Sequence, residues 1–260
     1  MDLFDLSGKL AIVTGSTTGI GRAIARRMAE RGARVVISSR TKADCDQVAA
    51  EIVADFGEGR AISIPADVAR LDTLEALVEQ AVEKLGGLDI LVCNGRVPCP
   101  GVLEEWEPEA FNGALEANIT NMAMMLKRAA PHMASRGGGS IVLISSTAGV
   151  IPMADRLVYG ITKIAARHLA ATLAVHLGRQ NIRVNAIAPG GIRTEGNRHI
   201  LEKPGFEKKL TAGLPLLRIG EPDEIAATAV YLCSPGGAYV TGQTIVVDGG
   251  QVLTGVWPGD

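Results

Sequence analysis

The chain has 260 residues, of which 47% are hydrophobic, and its 26 basic and 28 acidic side chains give a formal net charge of −2. The chain can therefore bury a sizeable core. The balanced charge gives no electrostatic reason to expect nucleic acid or an anionic membrane surface as a partner. The start, MDLFDLSGK, has no basic signal region, and no apolar run reaches the roughly 18 residues of a membrane helix. We expect a cytoplasmic protein that acts on small molecules.

The cysteines and histidines do not form a metal or redox motif. Cys45, Cys93, Cys99 and Cys233 include no C-x-x-C pair, and no histidine stands between Cys93 and Cys99. The four histidines of the chain show no metal spacing either. We therefore expect no metal site, and we interpret Cys93 as a small buried apolar residue at the end of a strand.

Seven short runs rich in β-branched residues alternate with helical patterns. They are residues 9–14, 34–39, 61–64, 88–93, 140–145, 182–188 and 244–247. This alternation is typical of α/β proteins with a parallel sheet and helices on both faces. No break in composition indicates a second domain, so the sequence predicts one doubly wound domain over residues 1–260. Ligands of such sheets bind beyond the carboxyl ends of the strands.

The helix predicted between the fifth and sixth strands has a regular apolar face. Its members recur every fourth residue and are Ile161, Ala165, Leu169, Leu173 and Leu177. We expect this face to pack on the sheet or on a partner subunit, and His168 and His176 in the same helix to be structural.

The first strand is followed by TGSTTGIG, which places Gly15, Gly19 and Gly21 in a turn that leads into a helix. Glycines permit positive φ and close backbone approach, and the amino end of the helix attracts a pyrophosphate. The spacing G-x-x-x-G-x-G differs from the commoner dinucleotide motif. On its own this turn could also serve only to pack the strand closely against the helix.

The second strand ends in SSRTK, with Ser39 and Arg40 at its tip and no carboxylate there. NAD enzymes tend to carry an acid at this point for the ribose hydroxyl, whereas NADP enzymes carry an arginine for the 2′-phosphate. The pattern favours NADP(H) over NAD(H), the alternative being a solvated surface arginine. Asp44 and Asp46 fit the first turn of the next helix better than a ribose contact.

Three polar residues follow the fifth strand at a spacing that suits acid–base chemistry. Tyr159 and Lys163 stand four residues apart and therefore share one helix face. A free tyrosine ionises only near pH 10, and a neighbouring lysine cation favours the tyrosinate form. Ser146 can donate a hydrogen bond to a carbonyl oxygen on which charge develops. By itself, the four-residue spacing favours the alternative, which is a turn serine and a half-exposed helix pair.

The order and content of these motifs resemble the classical short-chain dehydrogenase/reductase family over nearly the whole chain. The resemblance rests on TGSTTGIG, on ADV with Asp67, on CNGR at 93–96 and on ANIT with Asn118. It continues through Ser146, the Y-x-x-x-K of Tyr159 and Lys163, APGGIRT at 188–194 and the closing TGQTIVVDGG.

The resemblance implies a Rossmann-type domain with Asn118, Ser146, Tyr159 and Lys163 as a catalytic tetrad. Tyrosine would be the acid–base, serine would orient the substrate oxygen, lysine would also hold the nicotinamide ribose, and asparagine would anchor a relay water. The implied cofactor contacts are Gly15, Ser16, Thr18, Gly19, Ile20, Ser39, Arg40, Asp67, Val68, Asn94, Gly95, Tyr159, Lys163, Pro189, Gly190, Ile192 and Thr194.

The implied activity is hydride transfer between a nicotinamide cofactor and a ketone or secondary alcohol, with a 3-oxoacyl thioester reductase as one form of it. Alternatives are an NAD-dependent sugar or steroid alcohol dehydrogenase and a non-catalytic dinucleotide sensor. Members of the family are typically dimers or tetramers, so the resemblance also implies a homo-oligomer.

One position departs from the family pattern. The family usually has N-N-A-G after the fourth strand, where this chain has Cys93, Asn94, Gly95 and Arg96. Three interpretations of Arg96 remain open: a solvated side chain, a contact to a cofactor phosphate or substrate anion, or a defect in cofactor binding. We expect activity to survive because the tetrad is complete.

The substrate pocket is expected to be formed by residues 97–102, 150–153 and 157 and by a lid segment at about 191–217. Only 3% of the residues are aromatic, so the sequence does not specially indicate a flat aromatic ligand.

Overall fold

The parallel α/β sheet predicted from the sequence is confirmed by a computed structural model that describes residues 2–254, apart from the side chain of Ile200. The strands are β1 Leu10–Thr14, β2 Arg34–Ser38, β3 Ala61–Ser63, β4 Ile90–Cys93, β5 Gly139–Ile144, β6 Ile182–Pro189 and β7 Thr244–Val247. Each predicted run overlaps its strand, and the differences are confined to the ends.

Helices connect successive strands. They are α1 Gly19–Glu30, α2 Lys42–Phe56, α3 Leu71–Leu85, α4 Pro108–Leu115, α5 Asn121–Ser135, α6 Leu157–Leu177, α7 Arg198–Leu201, α8 Phe206–Thr211, α9 Pro222–Cys233 and α10 Gln251–Thr254. A single π turn, Glu116–Thr120, joins α4 to α5, and a 3₁₀ turn, Thr147–Gly149, follows β5. Asp44 lies in the first turn of α2, as predicted.

The strand order is β3-β2-β1-β4-β5-β6-β7, and all the strands are parallel. The order reverses between β1 and β4, which are paired with Val13 opposite Val92. A crevice therefore forms beyond the carboxyl ends of these two strands, where doubly wound sheets bind their ligands. The loops that begin at Gly15 and Asn94 form its two sides.

Two apolar layers cover the faces of the sheet. One is built on α1, α2 and α9 and takes Ala11 and Val13 from β1, whereas the other is built on α3, α5 and α6 and takes Ile12. Alternate residues of β1 thus serve opposite layers. Because strands buried on both faces have no polar side, they read in the sequence as continuous apolar runs.

The expectation that the four-residue repeat of α6 packs on the sheet is confirmed in part, because Leu177 is buried and Leu169 and Leu173 pack against the core. A neighbouring row of smaller residues is buried more deeply. The helix residues buried against the sheet are Val158, Thr162, Ala166, Ala170, Ala174 and Leu177, with Lys163 beside them. The predicted row lies on the flank: Leu169 and Leu173 are partly buried against the core, but Ile161 is 42% exposed. Small residues form the true contact row because they let the helix approach the sheet. His168 and His176 are exposed, and neither makes a hydrogen bond, ion pair or ring contact with another residue of the range 2–254. Their structural role stays a prediction.

Candidate active site

The glycine-rich turn after β1 is closed by backbone contacts that no side chain could replace. Gly15 and Gly19 have φ angles of +61° and +51°. A Cβ on Gly21 would lie 2.1 Å from the carbonyl oxygen of Gly15. The chain therefore turns sharply and delivers α1 with its amino end toward the crevice, which is the geometry that binds a pyrophosphate.

Asn94 ties the second side of the crevice to this turn. Its backbone N–H donates to Thr14 Oγ1 at 3.1 Å, and its Nδ2 donates to the carbonyl oxygens of Thr14 and Gly15 at 3.1 and 3.0 Å. Gly95 lies against both Gly15 and Val68, since a Cβ there would be 2.7 Å from Val68 Cγ1. The backbone of Gly95 thus fits closely between the glycine-rich turn after β1 and the loop that follows β3.

The remaining residues predicted in the turn have different environments. Ser16 is fully buried, and its Oγ accepts from the N–H of Ser38 at 2.8 Å, so this side chain joins β1 to β2. Thr18 is exposed at the amino end of α1, and Ile20 is half-buried against the core. Of these three side chains, that of Thr18 is the most accessible from the crevice.

The tips of β2 and β3 lie beside the turn. Ser39 accepts a backbone hydrogen bond from Ala66 at 3.0 Å, and Arg40 is exposed without a hydrogen bond or ion pair to another described residue. Asp67 Oδ1 accepts from the N–H of Ala69 at 3.0 Å, which shapes the loop before α3. Arg40 is therefore a cation at the crevice edge that is available to an anion.

One contact in the crevice involves a residue that the sequence did not single out. Glu195 Oε2 accepts a hydrogen bond of 2.8 Å from the N–H of Gly19. Its neighbour Thr194 packs on the same glycine, 3.1 Å from where a Cβ would be. No sequence signal distinguishes Glu195 from other loop acids, because the contact spans 176 residues.

The strand β6 ends at the third side of the crevice. Pro189 is its last residue, and the N–H of Gly190 donates to the carbonyl of Val247 at 3.0 Å. Ile192 is buried, and Thr194 begins a capped 3₁₀ turn in which its N–H donates to Asn197 Oδ1 at 2.9 Å. The segment predicted to flank the nicotinamide thus has a fixed backbone beside Gly19.

Tyr159 and Lys163 lie together on α6, as their spacing predicts. Lys163 Nζ is 5.4 Å from the centroid of the Tyr159 ring and donates to the carbonyl of Ile144 at 2.8 Å. Burial lowers the pKa of the Lys163 ammonium group; the Tyr159 side chain opposes this shift, and the charge of Arg96 adds to it. Lys163 is thus a buried cation beside the ring of Tyr159, the residue that the family resemblance assigns as the acid–base group.

Ser146 reaches the same place from β5. Its Oγ accepts from the N–H of Ala148 at 3.2 Å and so starts the 3₁₀ turn Thr147–Gly149. This turn packs tightly on α6, since a Cβ on Gly149 would lie 2.7 Å from the backbone of Lys163. The serine and the tyrosine–lysine pair are therefore parts of one rigid junction.

Asn118 joins the site through the π turn, which packs against α6. Its side chain is almost completely buried, with Nδ2 donating to the carbonyl of Ala114 at 2.9 Å and to that of Val97 at 3.3 Å. Its Oδ1 accepts from the N–H of Val97 at 3.0 Å. This amide thus fixes the loop that follows β4, where the substrate side of the crevice begins.

Arg96 stands in that loop and turns toward the tetrad. Its guanidinium carbon lies 5.5 Å from the centroid of the Tyr159 ring, at about the same distance as Lys163 Nζ. The side chain is exposed. The solvated interpretation of Arg96 therefore agrees with its exposure, but the side chain does not turn away from the site.

The cysteines have the apolar character expected of them. Burial raises the pKa of the Cys93 thiol to about 12 and that of Cys233 to about 11. In residues 2–254, no group of three or more His, Cys, Asp or Glu side chains is placed to hold a metal ion. No helix within the same residues has the length and apolar character needed to cross a bilayer.

Comparison with known proteins agrees with this geometry. The family model described as enoyl-(acyl carrier protein) reductase matches residues 15–251. Dehydrogenase/reductase SDR family member 4 of Bos taurus is 41% identical over 95% of this chain and 88% of its own, and that of Homo sapiens is 40% identical over 94% and 88%.

Solved structures show the same fold. A 7α-hydroxysteroid dehydrogenase in complex with NADH and 7-oxo glycochenodeoxycholic acid is 36% identical, with a TM-score of 0.88 over 96% of each chain. L-sorbose reductase from Gluconobacter frateurii, in complex with NADPH and L-sorbose, is 31% identical, with a TM-score of 0.91 over 97% of this chain and 99% of that one.

The protein belongs to the short-chain dehydrogenase/reductase family and is an NAD(P)-dependent oxidoreductase that acts on small molecules. Cβ atoms at Gly15, Gly21 and Gly95 would clash with neighbouring atoms of the protein, so the glycines keep the turn tight. A tight turn that leads into the amino end of α1 fits the pyrophosphate of a dinucleotide. The 3-oxoacyl reductase subtype is only loosely supported and stays a prediction.

Proposed function

We propose that this protein interconverts a ketone and a secondary alcohol, using NADP(H) and Tyr159 as the acid–base group. The observation that carries the proposal is the junction of Ser146, Tyr159 and Lys163 beside the glycine-rich crevice. Ser146 follows β5, and Tyr159 and Lys163 lie on α6. The two elements are joined by a hydrogen bond of 2.8 Å from Lys163 Nζ to the carbonyl oxygen of Ile144.

The nicotinamide, when bound, supplies or accepts the hydride. In the reducing direction the Tyr159 hydroxyl gives its proton to the substrate oxygen, and in the oxidising direction it takes that proton back. The Ser146 hydroxyl donates a hydrogen bond to the same oxygen and stabilises its developing charge. The Lys163 cation favours tyrosinate, and Asn118 holds the loop on the substrate side.

The preference for NADP(H) rests on the exposed Arg40 at the tip of β2. A guanidinium with no hydrogen bond or ion pair to any residue that the structure describes can pair with the ribose 2′-phosphate, whereas an NAD enzyme would tend to place a carboxylate there. The other proposed cofactor contacts are the glycine turn, Asp67 with Val68, and the segment from Pro189 to Thr194.

We further propose that the segment 191–217 acts as the substrate lid of a single domain. It contains α7 and α8, and a small separate cluster of Leu201, Leu210 and Ile219 with Phe206 packs it together. Arg193 joins it to the rest of the chain through ion pairs with Glu207 at 2.6 Å and Glu221 at 3.2 Å.

We also propose a homo-oligomer, with α6 at an interface. Ile161, Ile164 and Val175 leave 42%, 56% and 85% of their surface exposed on this helix, which is unusual for large apolar residues. The cytoplasmic location stays a prediction; one relative, human dehydrogenase/reductase SDR family member 2, is named mitochondrial and is 37% identical.

A second candidate is an NAD-dependent steroid or sugar alcohol dehydrogenase. It is favoured by the two similar structures, one with NADH and an oxo steroid and the other with NADPH and a sugar. A sensor without catalysis is less favoured, because all four residues of the proposed tetrad are present and three of them, Ser146, Tyr159 and Lys163, lie at the junction of β5 and α6.

The test is NADPH and NADH oxidation over a panel of aliphatic, steroid and sugar ketones, with Tyr159→Phe as the comparison. We expect at least one ketone to be reduced, with a loss of roughly 100-fold or more in kcat for the variant. Retention of cofactor binding by Tyr159→Phe would show that the variant is folded. Turnover that this substitution leaves unchanged would refute the assignment.

A further inference from the structure

Two cations approach one aromatic ring at the proposed catalytic site. The guanidinium carbon of Arg96 and the amine of Lys163 lie 5.5 and 5.4 Å from the centroid of the Tyr159 ring. Lys163 is buried and donates to the neutral carbonyl of Ile144, and it forms no ion pair with a carboxylate of residues 2–254. Arg96 likewise has no ion pair or hydrogen bond with another described residue.

The acids on the nearby rim are engaged elsewhere. Glu105 Oε2 accepts from the N–H of Gly101 at 2.9 Å, and Asp155 lies 3.5 Å from the guanidinium of Arg156. The contact of an exposed arginine with an aromatic ring is weak. The site therefore concentrates positive charge that forms no ion pair with the described acidic residues.

We propose that Arg96 binds a carboxylate of the substrate, so that the preferred substrates of this oxidoreductase are oxo acids and the corresponding hydroxy acids. This rests on the proposed function, because the same molecule must present its carbonyl oxygen to Tyr159 and Ser146. A planar guanidinium offers two parallel N–H donors, which match the two oxygens of a carboxylate.

The position of Arg96 favours the substrate over the cofactor as its partner. Its guanidinium lies over the ring of Tyr159, and the loop that carries it is bonded through Val97 to Asn118, on the substrate side. The pyrophosphate turn is contacted instead by the preceding residues, Asn94 and Gly95, through their backbone and amide groups.

The experiment compares Arg96→Leu with the unchanged protein and with Arg179→Leu, an exposed arginine in the turn after α6 that makes no contact with another described residue. The probes are acetoacetate and levulinate with their methyl esters, which keep the ketone but lack the charge. We measure kcat/KM for each probe, levulinate affinity by calorimetry without cofactor, and NADPH affinity by fluorescence titration.

We expect Arg96→Leu to lower kcat/KM for the acids relative to the esters by roughly 10- to 100-fold, as loss of a charged hydrogen-bonded pair predicts. Levulinate affinity should fall in parallel, whereas NADPH affinity should stay the same. Any change in ester turnover reports the effect of Arg96 on Tyr159 and Lys163, and the acid-to-ester ratio removes that effect from the comparison. Arg96→Lys should keep part of the preference for the acids over the esters, because lysine retains the positive charge but lacks the two parallel N–H donors of the guanidinium.

Three results would overturn the proposal. The first is an acid-to-ester ratio that Arg96→Leu leaves unchanged, and the second is the absence of levulinate binding to the unchanged protein. The third is a loss of NADPH affinity in Arg96→Leu that accounts for the whole effect, which would make the cofactor the partner. Failure of the proposed function has a different signature, since no neutral ketone would then be reduced although NADPH still binds.

Discussion

The carboxylate of Glu195 accepts a hydrogen bond of 2.8 Å from the backbone N–H of Gly19, at the amino end of α1. Gly19 belongs to the turn that we propose for the pyrophosphate, and a helix amino end attracts any anion that reaches it. A carboxylate and a pyrophosphate repel each other, so Glu195 must move away when the cofactor binds. The lid segment and the cofactor site are thereby linked through one side chain.

We therefore expect Glu195→Gln to bind NADPH more tightly, with a dissociation constant lower by roughly three- to tenfold, as for the loss of one competing charged hydrogen bond. Titration of NADPH by fluorescence measures the change. Glu202→Gln is the matched control: Glu202 is an exposed acid of the same lid segment that pairs with Arg198 at 3.9 Å. Equal affinity in Glu195→Gln and the control would show that the Gly19 contact does not compete with the cofactor.

Gly21→Ala should destabilise the turn and weaken cofactor binding together. Its Cβ would lie 2.1 Å from the Gly15 carbonyl and 2.5 Å from Asn94 Nδ2, so backbone must shift. We expect a loss of about 2–4 kcal/mol in the free energy of unfolding, measured with urea.

The control for that substitution is Gly113→Ala, within α4. A Cβ at Gly113 meets no atom within 4 Å. Alanine should therefore stabilise the helix by about 0.5–1 kcal/mol through its higher helix propensity. If Gly21→Ala unfolded at the same urea concentration as the unchanged protein, the packing argument for the turn would be wrong.

Arg40→Ala should weaken NADPH binding by roughly tenfold and leave NADH binding nearly unchanged, because only NADPH carries the 2′-phosphate. Lys42→Ala removes a neighbouring cation whose amine is already paired with Asp46 at 2.5 Å, and it should alter neither affinity. A parallel loss for both cofactors in Arg40→Ala would refute the proposed 2′-phosphate contact.

The free energy of unfolding should depend on pH through Glu224, which lies in α9 and pairs with Arg218, the residue that follows the lid segment. Its hydrogen bonds from Arg218 and from the N–H of Glu221 lower the pKa of the carboxyl from 4.5 to about 2. Since the folded-state pKa is depressed, the stabilisation is present above pH 4.5 and is lost as the pH falls through about 2. Because the pair is partly solvated, it is worth about 1 kcal/mol or less.

The measurement is the difference in unfolding free energy between the unchanged protein and Glu224→Gln, from urea titrations between pH 7 and pH 3. The difference should be constant down to about pH 5 and should shrink below it. Glu58→Gln, in an exposed loop, controls for the change in net charge. A difference that grew toward low pH would contradict the assigned direction of the pKa shift.

Much of the site could be read from the sequence because its signals are local. The glycine turn, the Tyr159–Lys163 spacing and Ser146 each follow one strand, and parallel strands bring their carboxyl ends to one edge. The apolar repeat of α6 predicted only part of its buried face. The small row of Ala166, Ala170 and Ala174, which is buried, was not singled out, because alanines give only a weak periodic signal.

By itself the sequence determined the seven strands, the order of the motifs and the membership of a nucleotide-binding family, since these depend on residue type and on neighbours along the chain. Only the tertiary structure decided that Arg96 lies over Tyr159 and that Glu195 binds Gly19. Both contacts join residues far apart in sequence through side chains with several rotatable bonds. Their direction is set by the surrounding packing and charge, which no local pattern records.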